Sequence, residues 1–277
     1  MSCSQRALAV STVRQRTVEL SLALSALVAS GRDPAKITSL ACLVEPEAFK
    51  TILRRYLKDD GKPRPFAYNM GNTLISLAKR WVRPDPAVLE KLKNLQGCLP
   101  RQRKGMTEKN RSVLRTLDDL DVRRKLYLLP ERLAGWAERT TPVHGAVAMQ
   151  IAVAIAILLS VPLRIDNLAG LRVDRHLARP GGPRSLWQIA IPAHEVKNNQ
   201  ALFYEVPRRP TTLIDRYLRR FRTCLAESGN PYLFPVGSRR KPPHTLSQQI
   251  RRAIIHWVGI DMTPPVPSFC RPHNKAA

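Results

Sequence analysis

The chain has 277 residues, 44% of them hydrophobic, enough for one large domain or two ordinary ones and too apolar for wholesale disorder. Its 46 Lys and Arg against 21 Asp and Glu leave a net charge of +25, which attracts a polyanion, either nucleic acid or an anionic membrane surface. Five widely spaced cysteines (Cys3, Cys42, Cys98, Cys224, Cys270) with no CxxC pair exclude a disulfide framework and a zinc finger, and suit reduced thiols in the cytoplasm.

In chain order, Val10, Val13, Leu20, Leu24 and Leu27 fall at helical spacing and predict a helix over 5–30 that stops before Gly31. PEAFKTILRRYLKDDG predicts a second helix, opened by Pro46 and closed by Gly61. FAYNMGNTLISLAKRWV (66–82) and PAVLEKLKNL (86–95) predict two more. Each leaves Lys or Arg on the face opposite its apolar stripe, so residues 1–96 read as a basic, all-helical domain. The first residues carry no compact apolar run with a cleavage site, and no signal peptide is expected.

GCLPRQRKGMTEKN (97–110) interrupts the pattern with Gly97, Pro100 and Gly105, and carries Arg101, Arg103 and Lys104. It reads as a linker with Thr107 capping the next helix, or as an ordinary basic surface loop. Residues 111–264 form the second domain. LDVRRKLYLLPERL and GAVAMQIAVAIAILLSV (145–161) are helical; the latter is short of a bilayer span, contains Gln150 and stops at Pro162, so it is read as a buried core helix. RSLWQIAI (184–191) alternates as a strand does. In HEVKNNQALFYEVP, Lys-Asn-Asn-Gln between two β-prone runs signals a hairpin. Helices resume at TTLIDRYLRRFRTCL and HTLSQQIRRAIIHWVG. The fold class expected is mainly α, with one small β-sheet.

Three stretches carry candidate chemistry. In VPLRIDNLAGLRVD (161–174), Pro162 starts a helix on which Arg164 shares a face with Leu168 and Leu171, so the guanidinium is expected to be partly desolvated and in need of an anion. A pair with Asp166 or Asp174 satisfies that need equally well. Lys197, between Val196 and Asn198 at the hairpin tip, is either a solvated charge or a cation presented to a phosphate. NPYLFPVGSRRKPPHTLSQQIRRAI (230–254) sets an aromatic–proline turn before Arg239, Arg240 and Lys241 and a helix bearing Arg251 and Arg252. Cys270 and His273 form a C-x-x-H, too few ligands for a metal site.

The order of these parts resembles the catalytic domain of tyrosine recombinases, the phage-integrase family. The family's G/P-L-R-x-x-E-L-x-x-L is matched by P-L-R-I-D-N-L-A-G-L, with Asn167 where Glu is usual; E-V-K-N-N matches the hairpin lysine and Y-L-F-P-V the turn. Residues 1–96 correspond in position and character to the family's core-binding domain. The resemblance implies that Arg164 holds the scissile phosphate and that Lys197 protonates the leaving 5′ oxygen. It implies double-stranded DNA as partner, a homo-tetramer on DNA, and no cofactor, metal or membrane. Arg101, Arg103, Lys104, Arg239, Arg240, Lys241, Arg251 and Arg252 are the expected DNA contacts.

The family also uses an H-x-x-R box and a Tyr nucleophile, and residues 263–277 contain neither; Tyr204, Tyr217 and Tyr232 come too early in chain order. The chain is therefore expected to be a catalytically dead, C-terminally truncated recombinase, with a non-catalytic DNA-binding regulator or inhibitor of recombination as the alternative. An RNA-binding protein ranks lower, for want of an aromatic platform. The end of the chain, MTPPVPSFCRPHNKAA, has its own reading. CAC CAG TTC CGT CAT TTT GCC GCC CA encodes the family-like H-Q-F-R-H-F-A-A; deletion of its first CA encodes P-V-P-S-F-C-R-P, which is Pro265–Pro272. Residues 265–277 are thus read as an out-of-frame tail, the simpler alternative being an ordinary chain end.

Overall fold

Proline and glycine set many of the element boundaries. A computed structural model describes residues 10–57, 65–99, 106 and 108–264 of the chain. The chain divides into two compact units, residues 1–105 and 106–277. Among the described residues both are built mainly from α-helices, with small antiparallel sheets in the second.

The first unit holds α1 (Val10–Ala29), α2 (Pro46–Arg55), α3 (Pro65–Leu77) and α4 (Pro86–Gly97), with short 3₁₀ turns at Pro34–Lys36 and Leu40–Leu43. In α2, Pro46 pre-sets the first turn, Glu47 lies at the positive end of the helix dipole, and Arg54 and Arg55 lie at the negative end. Ala48, Phe49, Ile52 and Leu53 are its buried stripe, packed with Leu27, Leu43, Met70, Leu74 and Leu92 into one core. The expected helix to Gly61 ends earlier, at Arg55, where the Tyr56 N–H turns back to the Leu53 carbonyl. Glu19 of α1 is buried and accepts hydrogen bonds from Thr73 Oγ1 (2.5 Å) and Gln15 Nε2 (3.0 Å), tying α1 to α3 through a polar contact. At its C-terminal end α3 widens into a π-helical turn, Ala78–Val82.

The second unit is organised around α7 (Pro142–Ser160), which is buried from Gly145 to Leu159 apart from a partly exposed Val147. It is the described helix long and apolar enough to cross a membrane, and the protein itself covers it. Around it lie α5 (Glu108–Thr116), α6 (Leu120–Ala137), α8 (Ile165–Ala169), α9 (Arg208–Arg220) and α10 (Pro243–Val258). Val161 takes extended backbone (φ −130°, ψ 122°) because the residue before a proline is crowded out of the helical region, so α7 must stop ahead of Pro162. Leu246, Ile250, Ile254 and Val258 recur every four residues on α10 and are buried; Gly259 at φ 86° closes that helix with its N–H on the Ile254 and Ile255 carbonyls.

A three-stranded antiparallel sheet runs in the order β1 (Leu177–Ala178), β2 (Gln188–Ile191), β3 (Leu202–Glu205), with Ile191 opposite Leu202. The expected hairpin exists, but its first strand is QIAI rather than His-Glu-Val, because residues 193–195 close a 3₁₀ turn after Pro192. Lys197 therefore lies in a long connection, 192–201, and not at a tight tip. Arg179 joins this sheet to α9: its guanidinium stacks 4.4 Å from the Trp187 ring centroid and pairs with Asp215 at 2.7 Å, while Trp187 Nε1 donates to the same carboxylate. A small ladder of β4 (Pro235–Val236) and β5 (Arg239–Arg240) precedes α10.

Candidate nucleic-acid interface

Arg164 is the N-cap residue of α8, and that placement overturns the expectation that it is partly desolvated. The helix starts only at Ile165 and ends at Ala169, so Leu168 is buried beneath it, Leu171 lies beyond it, and the Arg164 side chain is exposed. Neither proposed carboxylate partner takes it. Asp174 is held by Arg172, whose Nε and Nη2 donate to it at 3.1 and 2.8 Å, and no described carboxylate lies within ion-pair reach of Arg164.

Arg164 lines a small cleft of about 240 Å³ with its neighbours Pro162 and Asn167, and with Val196, Asn198 and Leu202 from the β2–β3 connection and β3. Lys197, between two of those lining residues, is exposed. The fold thus brings Arg164 and the Lys197 segment to one place, although β1 and β2 intervene in sequence. Asn199 at φ 53° turns the connection there; an asparagine tolerates this left-handed conformation better than most residues.

Asn167 also lines a second, polar cleft of about 380 Å³ with Arg172, Arg175, His176, Glu195, Tyr232 and Arg240. Arg240 is exposed, and its Nη1 lies against Gly170. Glu195 gathers three cations or potential cations: Arg175 at 2.5 Å, His176 Nε2 at 3.1 Å and His194 at 3.5 Å. His176 is almost fully buried, and its Nδ1 accepts from the Arg172 N–H at 3.1 Å, which leaves the proton of the neutral ring on Nε2, facing Glu195. Burial pushes its pKa below the ordinary histidine value, against the pull of Glu195. The loop carrying Tyr232 is clamped from behind: Arg222 donates to the Asn230 and Tyr232 carbonyls, and the Asn230 side chain donates to Gly237 and Arg239. Of the expected DNA contacts among the described residues, Arg240 alone lines this cleft. Arg172, Arg175 and His176 were not singled out in the sequence; the bridge between Arg172 and Tyr232 brings their segment to the turn that leads to β5.

The remaining expected DNA contacts are not equivalent. Arg239 and Arg240 are successive strand residues, both exposed, and of the two Arg240 lines the polar cleft. Lys241 is buried, contrary to expectation, with its Nζ donating to Gln249 Oε1 at 2.9 Å and its N–H to the Phe234 carbonyl. Desolvation pushes its pKa down to about 8. Arg251 is exposed but forks onto Asp261, with Nη2 2.6 Å from Oδ2. Arg252, exposed, lines an apolar groove with Trp136 and Trp257. Arg101, Arg103, Lys104 and the tail 265–277 lie outside the described residues.

Of the tyrosines expected to come too early in the chain, Tyr217 is sealed in the core. Gln150 Nε2 donates to its hydroxyl, and burial holds the phenol above its ordinary pKa. Among the described residues no group of three or more His, Cys, Asp or Glu is placed to hold a metal ion. Compared with protein-family models, curated proteins and solved structures, the chain finds no match.

Proposed function

We propose that the protein binds double-stranded DNA as a tyrosine-recombinase-type protein, keeping phosphate-holding cations of that site and supplying no nucleophile from the residues described. The observation that carries this reading is the cleft where Arg164 meets the Lys197 segment. The two cations matched on sequence grounds alone come to neighbouring positions, both exposed, and Arg164 is left without a described carboxylate. A guanidinium so placed can take a phosphate bidentately, and an ammonium can approach the same group as a point charge. The net charge of +25 supplies the long-range attraction.

Tyr217 cannot reach DNA from the core, and residues 263–277 contain no tyrosine. These residues supply no tyrosine at the position the resemblance calls for, and binding by them without cleavage also fits a regulator that occupies recombination sites. The test incubates the protein with a labelled duplex carrying a nick that traps any covalent intermediate, and measures binding across a salt series. Salt-sensitive binding with no covalent adduct supports the proposal. An adduct overturns the non-catalytic part, and absence of binding at low salt overturns the whole.

A further inference from the structure

The π-helical turn that ends α3 carries a feature that neither the Arg164 cleft nor the resemblance uses. Ala78 is buried and Val82 packs against the core of the first unit, while Lys79, Arg80 and Trp81 between them are turned outward. Trp81 is 74% exposed. Arg83, also exposed, follows with left-handed backbone (φ 52°, ψ 56°), unusual for a non-glycine residue, its N–H held 2.8 Å from the Ala78 carbonyl. Both a π turn and a left-handed arginine cost free energy relative to a plain helix end, and such local strain concentrates at functional positions. Ala78 and Val82, four residues apart, face inward while the indole stays in water.

No carboxylate among the described residues forms an ion pair with Lys79, Arg80 or Arg83, and Asp85 is the one acid in the segment 78–86. Three exposed cations thus surround one exposed, rigid aromatic plane. We propose that this turn is a nucleobase-stacking contact for DNA: Trp81 stacks on a base that is unpaired or displaced from its stack, and Lys79, Arg80 and Arg83 hold the adjoining phosphates. The choice of DNA as the polymer rests on the function proposed above. An anionic membrane surface offers the same charge, but interfacial anchoring needs a broad apolar face, and this turn exposes a single large apolar side chain.

The experiment uses the full chain as wild type, Trp81→Ala and Trp81→Phe, with labelled oligothymidine, labelled duplex and phosphatidylserine vesicles as probes. Anisotropy gives affinity, and tryptophan fluorescence reports stacking. Because the indole is solvent-exposed, Trp81→Ala is expected to keep the wild-type melting temperature. It is expected to bind oligothymidine roughly 5- to 150-fold more weakly and to lose a quenching component, with Trp81→Phe recovering much of the affinity. Wild-type duplex binding with oligothymidine affinity unchanged in Trp81→Ala overturns this inference and leaves DNA binding standing. Absence of wild-type binding to either strand form overturns both. A spectral shift of Trp81 on vesicles, with no quenching by DNA, overturns the stacking contact in favour of a membrane.

Discussion

Gln150 Nε2 donates to the Tyr217 hydroxyl at 3.0 Å and to the Pro235 carbonyl at 3.2 Å, so one buried amide ties α7 to α9 and to the β4–β5 ladder. Its Oε1 has no hydrogen-bond partner, so the bond to Tyr217 is not part of a fully satisfied network. Gln150→Leu removes the donor and leaves two buried acceptors bare, an expected loss of about 2–3 kcal/mol. Tyr217→Phe leaves the contact with Pro235 intact and is expected to lose about 1 kcal/mol. Urea unfolding of the two variants checks the order; equal losses would contradict the bridging role.

Gly145 stands where α7 crosses the end of α6, and a Cβ there would overlap the Ala137 carbonyl oxygen. Alanine in place of glycine favours a helix interior by about 1 kcal/mol, so propensity and packing pull in opposite directions. Backbone cannot give way as a flexible side chain can, and packing is expected to win. Gly145→Ala should destabilise by about 1–3 kcal/mol in thermal unfolding. A stabilised variant would show that the two helices are free to separate there.

Lys241 gives a pH dependence with a definite sign. Folding pushes its pKa down to about 8 from an unfolded value of 10.5, so between those limits the unfolded chain binds more protons. Stability contributed by this group is therefore lowest below pH 8 and rises toward pH 10.5. The full difference is on the order of 3 kcal/mol. Lys241→Met keeps the buried stem and removes the charge. Denaturation series at several pH values should find it more stable than wild type at pH 7, with the rise above pH 8 lost.

Arg164→Ala and Lys197→Ala should weaken duplex binding without lowering the melting temperature, because both side chains are exposed and the Arg164 side chain makes no capping hydrogen bond. Each removed phosphate contact is expected to reduce the slope of log affinity against log salt by about 1. Lys241→Ala, buried away from any ligand, should leave that slope unchanged while altering stability. Parallel slopes for wild type and Arg164→Ala would remove Arg164 from the interface.

Much of the helical architecture was legible because its cues are local. Pro46 and Pro86 stand in first turns as expected, the structure extends α7 and α10 back to Pro142 and Pro243, and the apolar residues of α2 and α10 keep helical period. The strand 188–191 and the run toward β3 were legible in the same way, though the pairing was not. Lys197 was placed on a tight turn because the sequence around it is β-prone; Pro192 and the 3₁₀ turn after it instead lengthen the connection.

The sequence by itself determined that most of the chain is helical and roughly where most helices lie, that the chain is strongly cationic, and that Arg164 and Lys197 were worth pairing. The tertiary structure decided which cations meet water and which partners they keep. Lys241 is buried beside exposed Arg240, Arg251 is tied to Asp261, and Arg172 and Arg175 join Arg240 at one cleft. The physical reason is range: helix period, proline geometry and caps act within a few residues, whereas desolvation and ion pairing depend on what the fold sets alongside from far away in the chain.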